Sequence, residues 1–215
     1  MTELPFEPEA IIFDLDGTLL DTEPLYTEAA QAVLNLYGHV FSPDLKRRIM
    51  GGDAMQSARL TVEEYDLPIA PEEFLNQRQT HLDRLFPAAP EIPGADNYLR
   101  LLAAGGMTVG LATSSHSHYF EMKTEQRAWR PLFQQIVCGD DPELSRSKPE
   151  PDIFQLCARR LGVNTRAVIA FEDSRNGILA AKAAGMTVIA VNSPYVGPHD
   201  LIDADMIIEN YLELR

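Results

Sequence analysis

Cysteine and basic residues are both scarce in this chain of 215 residues. Its two cysteines, Cys138 and Cys157, stand among apolar neighbours, which argues against a disulfide framework and against a cysteine-rich metal site. The 18 Lys and Arg residues are outnumbered by 32 Asp and Glu residues, so the formal net charge is −14. Because the sequence has no run of basic residues, duplex phosphate would be repelled, and we expect no nucleic acid polymer as a partner.

Long apolar runs are missing as well. No stretch reaches the roughly 18 residues that a membrane-spanning helix needs, and the N-terminus, MTELPFEPEA, lacks the charged and then apolar pattern of a signal peptide. We therefore expect a cytoplasmic protein without a membrane partner, with a monomer as the default state. The 45% of hydrophobic residues is nevertheless enough for a sizeable core.

Short apolar runs alternate with helical patterns over most of the chain. The strand-like runs are 11–13, 107–112, 135–138, 167–171, 187–191 and 206–208. The helical patterns between them are 94–104, 117–125, 151–161 and 174–184. Strands that are apolar throughout and alternate with helices predict an α/β fold, in which a parallel sheet is covered by helices on both faces.

Residues 22–89 differ from the rest, because they carry helix signals and no β-branched apolar run. Three helix starts are indicated, the last two at Ser42-Pro43-Asp44 and Pro71-Glu72-Glu73. We therefore predict an all-helical insert at 22–89 in an α/β core formed by residues 1–21 and 90–215.

Two carboxylates follow the first predicted strand, in the stretch IIFDLDGTLL. Asp14 and Asp16 come at the carboxyl end of this strand, where open α/β sheets bind ligands, and strand periodicity turns both side chains the same way. Such close like charges repel unless a cation lies between them or one carboxyl is protonated, and hard oxygen ligands suit Mg²⁺. For a lone pair of this kind, turn chemistry or helix capping is an equally good explanation.

A second acidic pair makes the metal-binding interpretation the better one. Glu172 and Asp173 end a later strand in AVIAFEDSRNG, and Ser174 is placed to cap the helix that follows. Because both pairs follow buried strands of one parallel sheet, we expect all four carboxylates at the same edge of that sheet.

Hydroxyl residues and one lysine complete the set of candidates. Thr113 and Ser114 follow the strand MTVGLA and can hold a phosphate at a helix start. Lys148 precedes a proline in SRSKPEPDIF, and its acidic and hydroxyl-rich surroundings indicate a charge-balancing role. In the helix after Ser114, we interpret two histidines and a lysine as surface residues, namely His116, His118 and Lys123.

These four motifs, in this order, resemble those of the haloacid dehalogenase superfamily of phosphohydrolases. The similarity lies in Asp14-x-Asp16-Gly-Thr, Thr113-Ser114, Lys148-Pro149 and Glu172-Asp173. It covers nearly the whole chain and implies a Rossmann-like parallel sheet with residues 22–89 as a helical cap. The stretches LATSSHSHYFEMKT and KPEPDIFQLCARRLG are similar to the group that contains pseudouridine-5'-phosphatases and β-phosphoglucomutases.

The resemblance implies a Mg²⁺-dependent phosphatase whose partner is a small phosphorylated metabolite, a sugar or nucleotide monophosphate. It makes Asp14 the nucleophile, which forms an aspartyl phosphate, and Asp16 the acid and base. Lys148 would offset the charges of nucleophile and phosphate, while Thr113 and Ser114 would bind the phosphoryl group. The metal ligands that it implies are Asp14, the main-chain carbonyl of Asp16, Asp173, and Glu172 directly or through water.

Residues that select the substrate are expected in the helical cap. The candidates are Glu23, Tyr26, Met50, Gly51, Gly52 and Arg78. Gly51 and Gly52 are the candidates for contact with the bound substrate or its phosphate, whereas packing within the cap is the favoured interpretation of Tyr26 and Met50.

Two other functions stay open. A β-phosphoglucomutase shares the cap and all four motifs, but the loop Gly51-Gly52-Asp53-Ala54 has alanine where that subfamily carries an arginine for a second phosphoryl group. A non-catalytic module that binds a phosphorylated metabolite would normally lack Asp14 or Asp16, and both are present. Dehalogenation is disfavoured, because dehalogenases lack the second aspartate.

Overall fold

The computed structural model describes residues 2–49, 54–197 and 199–214. Its helices are α1 (Glu23–Asn35), α2 (Pro43–Ile49), α3 (Ala54–Glu64), α4 (Pro71–Leu85), α5 (Ala95–Ala104), α6 (Ser117–Thr124), α7 (Asp152–Leu161) and α8 (Arg175–Ala183). Within these described ranges, every helix falls short of the length and apolarity that a membrane crossing requires.

The chain divides into two compact units. The α/β unit comprises Met1–Asp21 and Pro90–Arg215, and the helical unit comprises Thr22–Ala89. In the α/β unit, Asp21 N donates to Pro90 O at 2.9 Å, so the two chain connections leave this unit side by side.

Within the described residues, the α/β unit forms one six-stranded sheet. Its strands are β1 (Ala10–Phe13), β2 (Thr108–Ala112), β3 (Gln135–Val137), β4 (Val168–Glu172), β5 (Thr187–Val191) and β6 (Met206–Ile208). They lie in the order β3-β2-β1-β4-β5-β6, and all neighbouring strands are parallel. This confirms the predicted Rossmann-like parallel sheet. The strand order changes direction between β1 and β4, so the ligand-binding crevice is expected at the carboxyl ends of these two strands.

The central strand β1 buries side chains on both faces of the sheet. Ala10 and Ile12 belong to the apolar cluster that includes residues of α7 and α8. Phe13 points to the opposite face, where its ring stacks on Phe171 with centroids 4.9 Å apart. Asp14 N still continues the ladder with a hydrogen bond to Phe171 O at 2.9 Å, so strand alternation places Asp14 with Ile12 on the α7 side.

The helical unit has an apolar core of its own. Its buried residues come from three helices and the connection before α4, and they are Ala30, Val33, Leu34, Ala58, Leu67 and Phe74. The sequence indicates three helix starts in this unit, and the structure has a fourth, where α3 begins at Ala54. The signal for it in the sequence is Asp53, a residue type that favours helix starts.

Replacing Gly110 of β2 by alanine should destabilise the α/β unit. A Cβ there would lie 2.7 Å from Cys157 Sγ and 2.9 Å from Leu161 Cδ1, both in α7. Overpacking of this kind costs about 1–3 kcal/mol, which outweighs the better strand propensity of alanine. Urea denaturation of the variant measures the loss.

The matched control is Gly105→Ala at the end of α5. Gly105 has a φ of −78°, and the nearest atoms to an added Cβ are 3.5 Å away. Its free energy of unfolding should stay the same or rise by up to about 1 kcal/mol. Equal stability of the two variants would contradict the close packing of β2 on α7.

Candidate active site

Lys148 joins the carboxyl ends of the two central strands. Its Nζ lies 2.6 Å from Asp14 Oδ1, after β1, and 2.6 Å from Glu172 Oε1, at the end of β4. It also donates to the main-chain oxygen of Ala112 at 3.1 Å, which accounts for all three ammonium protons. The Lys148 side chain is 6% exposed, and Phe154 places its ring centroid 4.9 Å from Nζ. Three residues from separate motifs are thus brought together.

The charges in this site are unevenly balanced. Burial raises the pKa of Asp14 to about 7; Lys148 opposes the rise, and Glu172 and Asp16 add to it. Burial also raises the pKa of Asp173 well above its ordinary value, with Glu172 and Asp14 adding to the effect. Burial lowers the pKa of Lys148, but Asp14 and Glu172 outweigh this, so its pKa lies above the ordinary value. One ammonium therefore faces three buried carboxyl groups, and full ionisation calls for a further positive charge.

Both carboxylate oxygens of Glu172 are engaged. Oε1 accepts from Lys148, and Oε2 accepts from the main-chain N–H of Asp173 and Ser174 at 2.9 and 3.0 Å. The Ser174 hydroxyl also donates to Oε2 at 3.0 Å and accepts from Gly177 N at 3.1 Å, which confirms Ser174 as the cap of α8. A Cβ at Gly177 would overlap the Glu172 carboxylate. Glu172 therefore holds the Lys148 ammonium with one oxygen and the turn before α8 with the other.

Asp173 lies against the turn that follows β1. Its Oδ1 accepts a hydrogen bond from Thr18 Oγ1 at 3.2 Å, and no local sequence pattern predicts this partner. Gly17 in this turn has a φ of +80°, and a Cβ on it would overlap the Asp173 carboxylate. Glycine is required here both for the backbone conformation and for the close approach of the carboxylate.

The donor chemistry fits a divalent cation. Asp14 and Asp173 offer carboxylate oxygens, the ligands that Mg²⁺ prefers, in a site that is short of positive charge. In the part of the chain that the structure describes, no three His, Cys, Asp or Glu side chains surround a common metal position. Side chains alone therefore do not complete a coordination shell, and main-chain or substrate oxygens would have to contribute.

Asp16 pairs with a second lysine. Its Oδ1 lies 2.6 Å from Lys123 Nζ, and its Oδ2 accepts from Ser115 Oγ at 2.7 Å. The Lys123 side chain is fully buried, so its interpretation as a surface residue is wrong. The strand period used to orient both aspartates does not extend to Asp16, because β1 ends at Phe13.

The spacing of residues in α6 carries a signal for Lys123. Phe120, Lys123 and Thr124 are the buried residues of this helix, and they follow the i, i+3, i+4 pattern of one helical face. A lysine on a face that also carries a phenylalanine is a candidate for burial against a carboxylate. His116 and His118 are exposed, as expected.

The loop after β2 holds the predicted phosphate-binding residues. Thr113 is buried, and its Oγ1 accepts from Ser115 N at 3.1 Å. Ser114 is exposed and lines, together with Lys148, a cavity of about 220 Å³. The structure thus places Ser114 and Lys148 at a shared cavity. Thr113 is the residue that precedes Ser114 in the chain.

The candidates for substrate selection belong to the helical unit. Glu23 begins α1, and Tyr26 packs its ring against Phe86 with centroids 5.7 Å apart. The Arg78 guanidinium lies 5.9 Å from the Tyr26 ring centroid, so both residues take part in packing within this unit. Three further candidates lie outside the described residues, namely Met50, Gly51 and Gly52.

Comparison with known proteins gives the same assignment as the motifs. The family model for haloacid dehalogenase-like hydrolases matches residues 11–191. A protein of Arabidopsis thaliana named "(DL)-glycerol-3-phosphatase 1, mitochondrial" is 38% identical over 211 residues, which are 95% of this chain and 71% of that protein. A Drosophila melanogaster protein named "Probable pseudouridine-5'-phosphatase" is 38% identical over 208 residues, 95% of this chain and 90% of the relative.

A solved structure is similar in both fold and sequence. It is described as "putative beta-phosphoglucomutase from Thermotoga maritima" and superposes with a TM-score of 0.81 at 32% identity, covering 93% of each chain. The resemblance drawn from the motifs is therefore confirmed. The chain belongs to the haloacid dehalogenase-like hydrolase family, and its enzyme class is that of the phosphoric monoester hydrolases.

Proposed function

We propose that this chain is a Mg²⁺-dependent phosphatase that hydrolyses a small phosphate monoester, a sugar or nucleotide monophosphate, through an aspartyl phosphate on Asp14. The observation that carries the proposal is the contact of Lys148 with both Asp14 and Glu172 at the carboxyl ends of β1 and β4. This contact keeps the Asp14 carboxylate beside the positive charge of Lys148. Without that charge, the carboxylate would repel an anionic substrate.

The reaction uses Asp14 and Asp16 in two steps. Lys148 binds Oδ1 of Asp14, which leaves Oδ2 to attack phosphorus. The bond from phosphorus to the ester oxygen breaks, and Asp16 gives its proton to the departing alkoxide. Water then attacks the same phosphorus, Asp16 takes the proton of that water, and the bond to Oδ2 breaks to release orthophosphate.

The remaining site residues bind and orient. Thr113 and the main-chain N–H of Ser114 hold the phosphoryl oxygens, next to the cavity that Lys148 lines. Asp14, the main-chain carbonyl of Asp16 and Asp173 would hold Mg²⁺, which would supply positive charge to neutralise the phosphoryl oxygens. Glu172 acts on this site through its hydrogen bonds to Lys148 and to the start of α8, since both of its oxygens are occupied.

The helical unit is proposed to be the cap that selects the substrate. The site motifs of the α/β unit bind only the phosphate and the metal. Other residues must therefore recognise the alcohol part of the substrate. Similar proteins are named a glycerol-3-phosphatase and a probable pseudouridine-5'-phosphatase, which supports a small polar alcohol as the leaving group. The similar Thermotoga structure keeps a phosphosugar mutase as the second candidate.

Asp14→Asn should abolish the phosphatase activity. An amide is not a nucleophile, so release of p-nitrophenol from p-nitrophenyl phosphate should fall by roughly 10³-fold or more. Mass spectrometry of acid-quenched wild type should find phosphate on the peptide that contains Asp14. The control is Asp96→Asn, which removes a partly exposed carboxylate paired with Arg100 on α5. Full activity in Asp14→Asn would reject the assigned nucleophile.

Mg²⁺ should raise the melting temperature of the wild-type protein, because it binds the folded state only. Asp173→Asn should abolish this shift. The same variant should raise the melting temperature without metal at neutral pH. Because burial raises the pKa of Asp173 well above its ordinary value of 3.8, keeping this group ionised in the folded state costs stability. This cost is largest above the folded pKa, declines as pH falls below it, and is gone only below the ordinary pKa.

Differential scanning fluorimetry with and without Mg²⁺ measures both effects, with Asp96→Asn as the matched control. The control should keep the full Mg²⁺ shift. A shift in Asp173→Asn as large as that of the wild type would show that Asp173 is not a ligand.

A panel of monophosphates should separate hydrolysis from phosphate transfer. We expect orthophosphate release from glycerol 3-phosphate, pseudouridine 5'-phosphate or a related monophosphate, measured by a molybdate assay. With β-glucose 1-phosphate, ion chromatography should detect free phosphate or unreacted substrate. Accumulation of glucose 6-phosphate would instead establish the mutase, whose second phosphoryl contact Ala54 does not offer.

A further inference from the structure

Lys123 is a fully buried lysine that lies outside the four motifs. It belongs to α6, and its Nζ lies 2.6 Å from Asp16 Oδ1 and 2.9 Å from Ser115 Oγ. The Ser115 hydroxyl in turn donates to Asp16 Oδ2 at 2.7 Å. The three side chains therefore form a closed triangle in which each oxygen of the Asp16 carboxylate has its own partner.

Packing alone does not account for a lysine at this place. Lysine is almost never fully buried unless it is paired, and a buried ion pair is often no more stabilising than apolar residues of similar volume. The neighbouring buried residues of α6 are Phe120 and Thr124, so a methionine or leucine at 123 would continue this face. Lysine differs from these apolar residues in that its ammonium forms an ion pair with the Asp16 carboxylate.

The triangle restrains the orientation of the Asp16 side chain. A carboxylate held on one oxygen can still rotate about its side-chain torsions, whereas contacts on both oxygens from two different elements fix its plane. Lys123 comes from α6 and Ser115 from the loop after β2. Ser115 N also donates to Thr113 Oγ1, so the loop proposed to bind phosphate holds the Asp16 carboxylate as well.

We propose that Lys123 and Ser115 are positioning residues that hold the Asp16 carboxyl group for proton transfer to the leaving group. In its acid form Asp16 carries the proton on Oδ2, which keeps a lone pair to accept from Ser115, while Oδ1 accepts from Lys123; after the transfer it is the carboxylate. This inference rests on the proposed function, in which Asp16 is the acid of the first step. Neither residue touches the reacting atoms in this assignment, and both act through Asp16. Misplacement of a catalytic group by about 1 Å can slow a reaction about 100-fold.

Leaving groups of different basicity distinguish positioning from general damage. Phenyl phosphate releases a basic phenolate that needs a proton, whereas 2,4-dinitrophenyl phosphate releases an anion that is stable without one. Lys123→Met should lower the rate of protein phosphorylation by phenyl phosphate about 100-fold and by 2,4-dinitrophenyl phosphate less than about 3-fold. Rapid-quench single-turnover kinetics measures this step for both substrates, apart from the hydrolysis that follows.

Ser115→Ala is the second variant, since it keeps the Lys123 ion pair and removes one restraint on Asp16. It should show the same selective loss to a smaller degree, which keeps the test decisive if Lys123→Met folds poorly. Lys182→Met is the matched control, because Lys182 forms an ion pair with Asp205 at 2.7 Å on the protein surface. The control should leave both phosphorylation rates unchanged.

Asp16→Asn gives the reference for complete loss of the acid. If Lys123 acts through Asp16, the double variant Asp16→Asn/Lys123→Met should be no slower with phenyl phosphate than Asp16→Asn alone. Equal losses with both substrates in Lys123→Met and Ser115→Ala, or no loss in either variant, would overturn the proposal.

The failure of this inference differs from that of the proposed function. An active Asp14→Asn variant without phosphate on the wild-type protein would reject the proposed function itself. A dead Asp14→Asn variant and a selective loss in Asp16→Asn, without a selective loss in Lys123→Met or Ser115→Ala, would reject only the positioning role.

Discussion

The contact of Lys148 with Asp14 and Glu172 is the interaction on which the rest of the site depends. Two parallel strands deliver carboxyl groups to the same sheet edge, and a buried cluster of like charges is unfavourable without cations. Lys148 supplies one positive charge, and its three hydrogen bonds tie β1, β2 and β4 together at that edge. One ammonium does not balance the buried carboxyl groups, and Asp14 and Asp173 are left with too little positive charge nearby. Mg²⁺ would supply that charge and is therefore chemically suitable there.

The two aspartates of the first motif have different surroundings despite their closeness in sequence. Asp14 is buried with Lys148 and two other carboxyl groups, whereas Asp16 is a quarter exposed and is paired with Lys123 and Ser115. Carboxyl groups in different environments can take different chemical roles, one as a nucleophile and one as an acid and base. The separation arises because β1 ends at Phe13 and the chain turns at Gly17, so Asp14 and Asp16 no longer follow one strand.

Much of the fold and of the site could be predicted from local sequence patterns. Apolar runs such as 167–171 predict buried strands, and their alternation with helices predicts the parallel sheet. Asp14 and Glu172 could be placed at one edge because they follow such runs. The prediction for Lys123 is wrong because its spacing from Phe120 and Thr124 places it on one face of α6, but only tertiary structure shows that this face is buried. The contact of Thr18 with Asp173 likewise depends on tertiary structure that no local pattern encodes.

The most direct test of the central claim is a crystal structure of the protein with Mg²⁺ and beryllofluoride, a stable mimic of a bound phosphoryl group. The predicted result has beryllium bonded to Asp14 Oδ2, with Lys148 still in contact with Oδ1 and the cation bound by Asp14 and Asp173. Beryllofluoride bonded to another side chain, or a cation bound away from Asp173, would contradict the assignment of nucleophile and metal site.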